Sequence, residues 1–528
     1  MFSSLVLHIT LAVVMVMFLG PLVFVGWLYL RNRRQTQHSL LRGRYWFIGI
    51  LRYMIEKVGP ELRFYITDDD NEGKPISRIK FVSIVKASKY LKTIISFGSK
   101  RDFEAAGLYL RNSLFPKLEE ELEVDNSPTL QTKRYVVEKE AIFFRYEKVE
   151  KAEVHPWYLT ENNIVTVGPE RESPWRLKGL VGMSAMSYGA LGKNAITALS
   201  KGIGMAGGSW MNTGEGGVSD HHLSGGCDVV FQIGPGLFGV RDKKGNMDWE
   251  LLRQKTCIPE VKAVELKMGQ GAKIRGGHVE GVKVTPEIAA IRGVEPWKSI
   301  DSPNRFRQFN DLPGMFDFIE EIQAVSGLPV GVKMVVGAKD SLDEFCAYFA
   351  KRGKGPDFVT IDGGEGGTGA TFKEMADSLG LPVYSAVIIA DDALRRHGIR
   401  DRVKIIAAGR LHQPDEVAVA LGLGADLVAI ARGFMISVGC IMTERCHSND
   451  CPVGVATTDP DRGRALYVDE KKYRVMNYII TLRAALFSLS AACGITNPTQ
   501  FCREHLVLKD ELYKAVNCSD VYPYAGAR

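Results

Sequence analysis

The stretch VKIIAAGRLHQPDEVAVALGLGADLVAIARG, residues 403–433, decides the fold. It reads as a short β-rich run (Val403–Gly409), a helical stretch (Asp415–Gly422) and a second β-rich run (Leu427–Arg432), each too short to stand alone. The same alternation extends upstream. β-rich runs lie at Val181–Ser187, Met205–Asn212, Asp228–Ile233, Val261–Met268, Val330–Val335 and Phe358–Asp362, with helical stretches such as Asn194–Gly202 between several of them. Eight parallel strands with crossover helices predict an α/β chain folded as a (β/α)8 barrel, with a doubly wound open sheet as the alternative. Barrel chemistry sits at the carboxyl ends of the strands. Ser187, Asn212, Gln232, Lys267, Lys333, Asp362, Gly409 and Arg432 all fall at or near such ends.

Immediately downstream, Cys440, Cys446 and Cys451 stand in the run GCIMTERCHSNDCPVGVAT with C-x5-C-x4-C spacing. Three soft thiolates on one short loop suit an iron–sulfur cluster. Zinc with His447 as a fourth ligand is the competing reading, although structural zinc sites favour C-x2–4-C pairs. Three unrelated core cysteines are the third.

This run resembles the cluster-binding stretch of the glutamate synthase large subunit through its three cysteines, His447, Asn449, Pro452, Val453, Gly454, Ala456 and Thr457. AMSYGAL from Ala185, NTGEGG from Asn212, GVKMV from Gly331 and GGEGGTGA from Gly363 resemble that family's other motifs, in order. Together they cover roughly residues 165–460. The resemblance implies FMN at the barrel mouth and a [3Fe–4S] cluster on Cys440, Cys446 and Cys451.

Phosphate sites in such barrels use the loops after the seventh and eighth strands. Gly409-Arg410 and Ala431-Arg432 occupy those places, and Gly363, Gly364, Gly367 and Thr368 form a glycine-rich loop after the sixth. Lys333 interrupts an apolar strand, so its ammonium should meet an anion or face the barrel mouth. A cation there would stabilise a reduced flavin. The resemblance implies that Met186, Ser187 and Gln232 line the flavin. It assigns the acid substrate to Glu215 and Lys273, the first as proton carrier and the second as partner of a carboxylate. Two departures stand out. Lys273-Ile-Arg-Gly-Gly-His278 replaces the family's Lys-Pro-Gly-Glu-Gly-Gly, and Glu365 stands where Asp is usual.

The net charge of +6 dissolves on inspection, because Arg31, Arg33, Arg34, Arg42 and Arg44 alone contribute five of it. The body is nearly neutral, which argues against a nucleic-acid partner. Nine cysteines without paired spacing read as a reduced compartment. Those arginines follow Leu5–Leu30, a stretch without acid, lysine or arginine. As a helix it rises about 39 Å, enough to cross a bilayer. A secretory signal is the competing reading, but no positive charge precedes the apolar core and no A-x-A site follows it. The trailing arginines predict a single pass through the plasma (inner) membrane with the catalytic body in the cytoplasm.

The expected organisation is a transmembrane helix (5–30), a juxtamembrane and small α+β cap region (31–160), an FMN-binding barrel with its iron–sulfur loop (161–465), and a C-terminal helical segment and tail (466–528). Residues 45–60 read as an interfacial segment or as a helix on the enzyme body. His155-Pro-Trp-Tyr-Leu reads as the linker into the barrel. The family's amidotransferase and glycine-repeat β-helix have no counterpart in the sequence, and no G-x-G-x-x-G in a βαβ context marks a nicotinamide site. The expected activity is therefore reductive amination of 2-oxoglutarate, through 2-iminoglutarate, to L-glutamate. Its partners would be 2-oxoglutarate or a related acid, ammonia or a separate amidotransferase, and an external ferredoxin-like or reductase electron donor. Self-association is compatible with the sequence. The alternatives are an FMN oxidoreductase for another amino or keto acid, and a membrane-tethered electron-transfer module.

Overall fold

A computed structural model describes residues 2–34, 39–42, 44, 46–95, 97–141, 144–271, 277–368, 371 and 373–525. The chain divides into two compact units, Met1–Gly73 and Lys74–Arg528.

In the first unit a helix runs from Phe2 to Arg34, four residues beyond the expected end of the apolar stretch. Its segment Val13–Arg34 has a mean hydropathy of 2.3 and none of it is buried. Twenty-two residues make about 33 Å of helix. Pro21 sits inside this helix without ending it. Near its end Arg31 and Arg33 lie over the rings of Trp27 and Tyr29, 5.2 and 5.4 Å from their centroids. After a single turn of helix at Ser39–Arg42, an amphipathic helix spans Trp46–Leu62.

The second unit is built around the barrel. Its strands are β1 (Val181–Met183), β2 (Trp210–Asn212), β3 (Asp228–Ile233), β4 (Val261–Lys267), β5 (Val330–Met334), β6 (Phe358–Asp362), β7 (Lys404–Ala408) and β8 (Leu427–Ile430). They form one closed ring in sequence order, all parallel, and β8 pairs with β1. That pairing excludes the open sheet. Each expected strand is a barrel strand, but several end early. Met205 and Ala206 finish the helix Lys193–Ala206, which Gly207 stops, rather than opening β2. Arg432 opens the short helix Arg432–Ser437 rather than closing β8. Apolar runs mark burial, whereas strand ends are set by where the ladder stops.

Small and large residues interlock inside the barrel. A Cβ at Gly182 of β1 would strike the Trp210 indole, and one at Gly331 of β5 would strike Phe358. Trp175 plugs the amino end, edge-on to Trp210 at 5.4 Å, its Nε1–H donating to Asp228, the first residue of β3, at 2.9 Å. With that end sealed by aromatics, the opposite end is left for chemistry.

Residues 74–160 form a mixed helix and strand layer on the barrel. The helix Arg78–Tyr90 and the hairpin Leu130–Ala141/Phe144–Val154 pack on the 25-residue helix Val468–Ala492. That long helix is apolar enough to span a bilayer, yet much of it is buried in the body, as Met476, Ile479, Leu482 and Phe487 show. Asn477 stitches the layer together: its amide donates to Ser88 O and Lys133 O, and its oxygen accepts from Thr132. His155–Leu159 is no free linker, since Tyr158–Leu159 pairs with Val124–Asp125 and Tyr158 Oη donates to Ala206 O. Beyond the helix Val468–Ala492 the tail joins a sheet, because Leu506–Lys509 pairs with Gly107–Leu110 on one side and Ala515–Asn517 on the other.

Candidate active site

Two lysines stand side by side where β4 and β5 open onto the barrel mouth, Lys267 in register with Lys333. Both are buried, and each has found a carboxylate. Lys267 Nζ lies 3.1 Å from Glu215, and Lys333 Nζ lies 3.2 Å from Asp362. The anion expected opposite Lys333 is thus Asp362, the last residue of β6, which also accepts from Gly271 N–H. An ammonium has three donors, so Lys333 keeps capacity toward a ligand. Glu215 is further held by the Ser302 hydroxyl at 3.3 Å.

Below the lysines lies a polar layer in which the sequence marked Asn212 and Gln232 but not Glu265 or Thr360. Glu265 is buried inside the barrel, where Asn212 and Gln232 each donate to its Oε1 at 2.7 Å and Thr360 donates to Oε2. A cavity of about 10 Å³, near the volume one water needs, lies among Ser184, Asn212, Glu265, Lys333 and Thr360. The signal was present, since Glu265 and Lys267 are two apart on one strand and share its inward face. Gln232 therefore presents an amide already engaged by Glu265.

Ser187 lies in the turn after β1, where its Oγ accepts from Arg292 at 3.3 Å. Arg292 ends the helix Pro286–Arg292 and is 2% exposed. It donates to Tyr188 O, leaves Nε without a partner among the described residues, and forms no carboxylate ion pair there. Burial lowers its pKa to about 10, with Glu215 acting in the opposite sense. A buried guanidinium without a counter-ion, at the mouth of a barrel, suits a carboxylate ligand. Lys273, the other candidate substrate residue, lies outside the described residues.

The Met186 carbonyl is held by another group the sequence did not flag, His222 Nε2 at 3.4 Å, while His222 Nδ1 meets Ser219 Oγ at 2.7 Å. Burial lowers the His222 pKa to about 4, so the ring is neutral at pH 7. The unfolded chain takes up this proton near pH 6.5 and the folded chain does not, so stability present above about pH 6.5 is lost as pH falls toward 4. The shift is worth about 3 kcal/mol. Urea midpoints at pH 7 and 4.5 should therefore fall further for the wild type than for His222→Gln, and equal pH slopes would remove His222 from this role.

The ends of β7 and β8 carry the positive charge. Gly409 has φ +127°, and a Cβ there would press on the Gly363 backbone. Arg410 is held left-handed at φ 49°, a conformation unusual for a non-glycine residue. Arg410 and Arg432 are half-buried, and neither has a carboxylate partner among the described residues. Burial lowers the Arg432 pKa, and Arg410 lowers it further. A side chain at Gly367 would strike the Arg432 guanidinium, so the glycine loop and Ala431-Arg432 meet. Beside them His412 is buried with neither ring nitrogen hydrogen-bonded among the described residues. Its pKa falls to about 3, through burial and then Arg432. Two uncompensated guanidiniums, a bare imidazole and a glycine cradle fit a phosphate dianion. Glu365, the departure from the family's Asp, accepts from Val383 N–H at 2.9 Å and so fastens the glycine loop to the helix Val383–Arg396.

The cysteine loop follows. Gly439 (φ 114°), Met442 (φ 56°), Glu444 (φ 57°) and Asn449 (φ 63°) coil it into successive left-handed turns. Asn449 Oδ1 accepts from Thr458 N–H and Thr457 Oγ1, which pins its far end. Burial pushes the Cys440 thiol up to about 11 and raises Cys446 as well. The three cysteines sense one another electrostatically, with Arg432 facing Cys440 and Cys446 and Lys283 facing Cys446. Met442 N–H donates to Cys440 Sγ. Among the described residues no three His, Cys, Asp or Glu side chains converge closely enough for one metal ion. The donor set, three thiols with cations around them and an N–H on sulfur, has the chemistry of an iron–sulfur ligand set.

Residues 116–496 match the conserved region in glutamate synthase. The chain belongs to the glutamate synthase family. The glutamate synthase large subunit-like protein YerD of Bacillus subtilis (strain 168) is 50% identical over 502 residues, covering 95% of each chain. The archaeal glutamate synthase (NADPH) of Methanocaldococcus jannaschii is 31% identical over 313 residues, 59% of this chain and 58% of that one. The glutamate synthase (NADPH) large chain of Bacillus subtilis (strain 168) is 30% identical over 318 residues, which make up only 20% of its length. This family member is a glutamate synthase-like oxidoreductase with a (β/α)8 barrel, and its barrel mouth fits FMN.

Proposed function

We propose that this glutamate synthase-family chain aminates 2-oxoglutarate reductively to L-glutamate, using FMN, a [3Fe–4S] cluster on Cys440, Cys446 and Cys451, and an external electron donor. The observation that carries the substrate class is the buried guanidinium of Arg292 beside Ser187, which forms no ion pair among the described residues and has only the Glu215 carboxylate near it. The balanced reaction joins the keto acid and ammonium with two electrons and two protons, and releases glutamate and water. Bound FMN supplies a hydride donor at the barrel mouth. Gly409, Arg410, Arg432 and the loop Gly363–Thr368 would hold its phosphate, and Lys333 would offer positive charge to its ring. Arg292 grips one substrate carboxylate, while Lys273 takes the other, as the family resemblance implies. Glu215, steadied by Lys267 and Ser302, would pass a proton to the substrate nitrogen.

We also propose that the helix Phe2–Arg34 crosses the plasma membrane and leaves the body in the cytoplasm, supported by its largely exposed apolar segment and trailing arginines. One assay tests both readings. Membrane vesicles carrying the full chain, given 2-oxoglutarate, ammonium and a reduced viologen, should form glutamate. The activity should be open in inverted vesicles and latent in sealed right-side-out ones. No glutamate from protein loaded with flavin and iron would transfer the chain to another acid or to plain electron transfer. Unlatent activity in right-side-out vesicles would reverse the orientation.

A further inference from the structure

The insertion between β4 and β5 includes the short turn Gly281–Lys283, just before the helix Pro286–Arg292. Lys283 is 3% exposed. Its Nζ donates to Ala190 O at 3.0 Å, to Cys446 O at 3.0 Å and to Ala456 O at 3.4 Å. These three carbonyls satisfy the three N–H groups of the ammonium. None of them carries a net charge, and no carboxylate pairs with Lys283 among the described residues. The titratable groups it faces are Cys446, Cys451 and Arg292. A buried ammonium without a counter-ion is expensive, and an uncharged side chain could tie the same carbonyls. The placement makes sense once the thiols on the other side carry negative charge.

A cluster of ferric iron and sulfide held by three thiolates is a net anion, and its one-electron reduction adds one more negative charge. We propose that Lys283 is the fixed counter-charge of that cluster, a positioning residue that stabilises the reduced form and sets how readily the cluster accepts an electron. This rests on the cluster assignment made above. Lys283 also fastens the loop after β1, which carries Ser187, to the cysteine loop, so one ammonium serves the geometry and the potential together.

The test uses the full-length holoprotein with Lys283→Gln, Lys283→Met and Lys283→Arg. Iron and flavin content are measured first, then the cluster's reduction is followed by EPR in a mediated titration at fixed pH. The two neutral variants should make cluster reduction at least tenfold less favourable, about 59 mV for one electron, while Lys283→Arg stays near the wild type. Glutamine can still donate to the carbonyls, so it separates charge from tethering where methionine loses the cluster. An iron-loaded Lys283→Gln with an unmoved potential would show the lysine to be a tether only. An arginine variant shifted as far as glutamine would overturn the inference too. Absence of cluster iron from the wild type would instead sink the cluster assignment, and the iron assay tells the two failures apart.

Discussion

Lys333→Met should lower turnover about a hundred- to thousandfold with flavin saturating, the range lost when one preorganised charge at a reacting centre is removed. The ammonium is 3% exposed and held 3.2 Å from Asp362, so its position needs no rearrangement when negative charge develops on a flavin ring beside it. The flavin's reduction potential should fall with the rate, because the reduced, anionic ring loses its partner. Breaking a buried pair from one side also leaves the Asp362 carboxylate uncompensated, typically at 3–5 kcal/mol. Stability and catalysis must therefore be separated. A Lys333→Met, Asp362→Asn double variant should recover much of the stability while keeping the low potential. A wild-type potential in flavin-loaded Lys333→Met would show that the residue only anchors Asp362.

Cys446→Ser should strip iron from the protein while flavin stays bound. A serine oxygen is a harder, poorer ligand for an iron–sulfur core than a thiolate. Outer partners of metal ligands are already worth roughly 10–100-fold in affinity, so loss of a ligand should lower occupancy at least that far. The phosphate cradle at Gly409, Arg410 and the loop Gly363–Thr368 lies on other loops, which is why flavin should persist. Turnover driven by a protein electron donor should collapse. Full iron content in this variant would remove Cys446 from the ligand set.

The barrel was legible because parallel strands buried on both faces read as short apolar runs, and all eight appear in the closed ring. Their ends were less legible, as Met205 and Arg432 show, since hydrophobicity does not report where a ladder stops. The mouth was readable where a charge interrupted an apolar strand, as at Lys333, or where glycine and arginine followed one. Its partners were not, because Asp362 and Glu215 meet Lys333 and Lys267, and Glu265 meets Asn212, Gln232 and Thr360, from elements separated in sequence. Arg292, His222 and Lys283 sit on short helices and turns whose sequences look like ordinary surface, and only tertiary burial distinguishes them.

The pairing of Gly107–Leu110 with Leu506–Lys509 has a consequence for how this protein is made. The two strands are some four hundred residues apart, so at ribosomal rates of about 5–20 residues per second the first waits roughly 20–80 s for the second. Throughout that interval an unpaired edge is open to other chains. The barrel strands and the cysteine loop all leave the ribosome inside the same window. The clasp that carries Arg503, buried and paired with Asp391 and Asp392, arrives after them. Nascent chains crowded on one patch of surface would meet one another with that edge bare, which makes edge-to-edge aggregation the characteristic failure of overproduction.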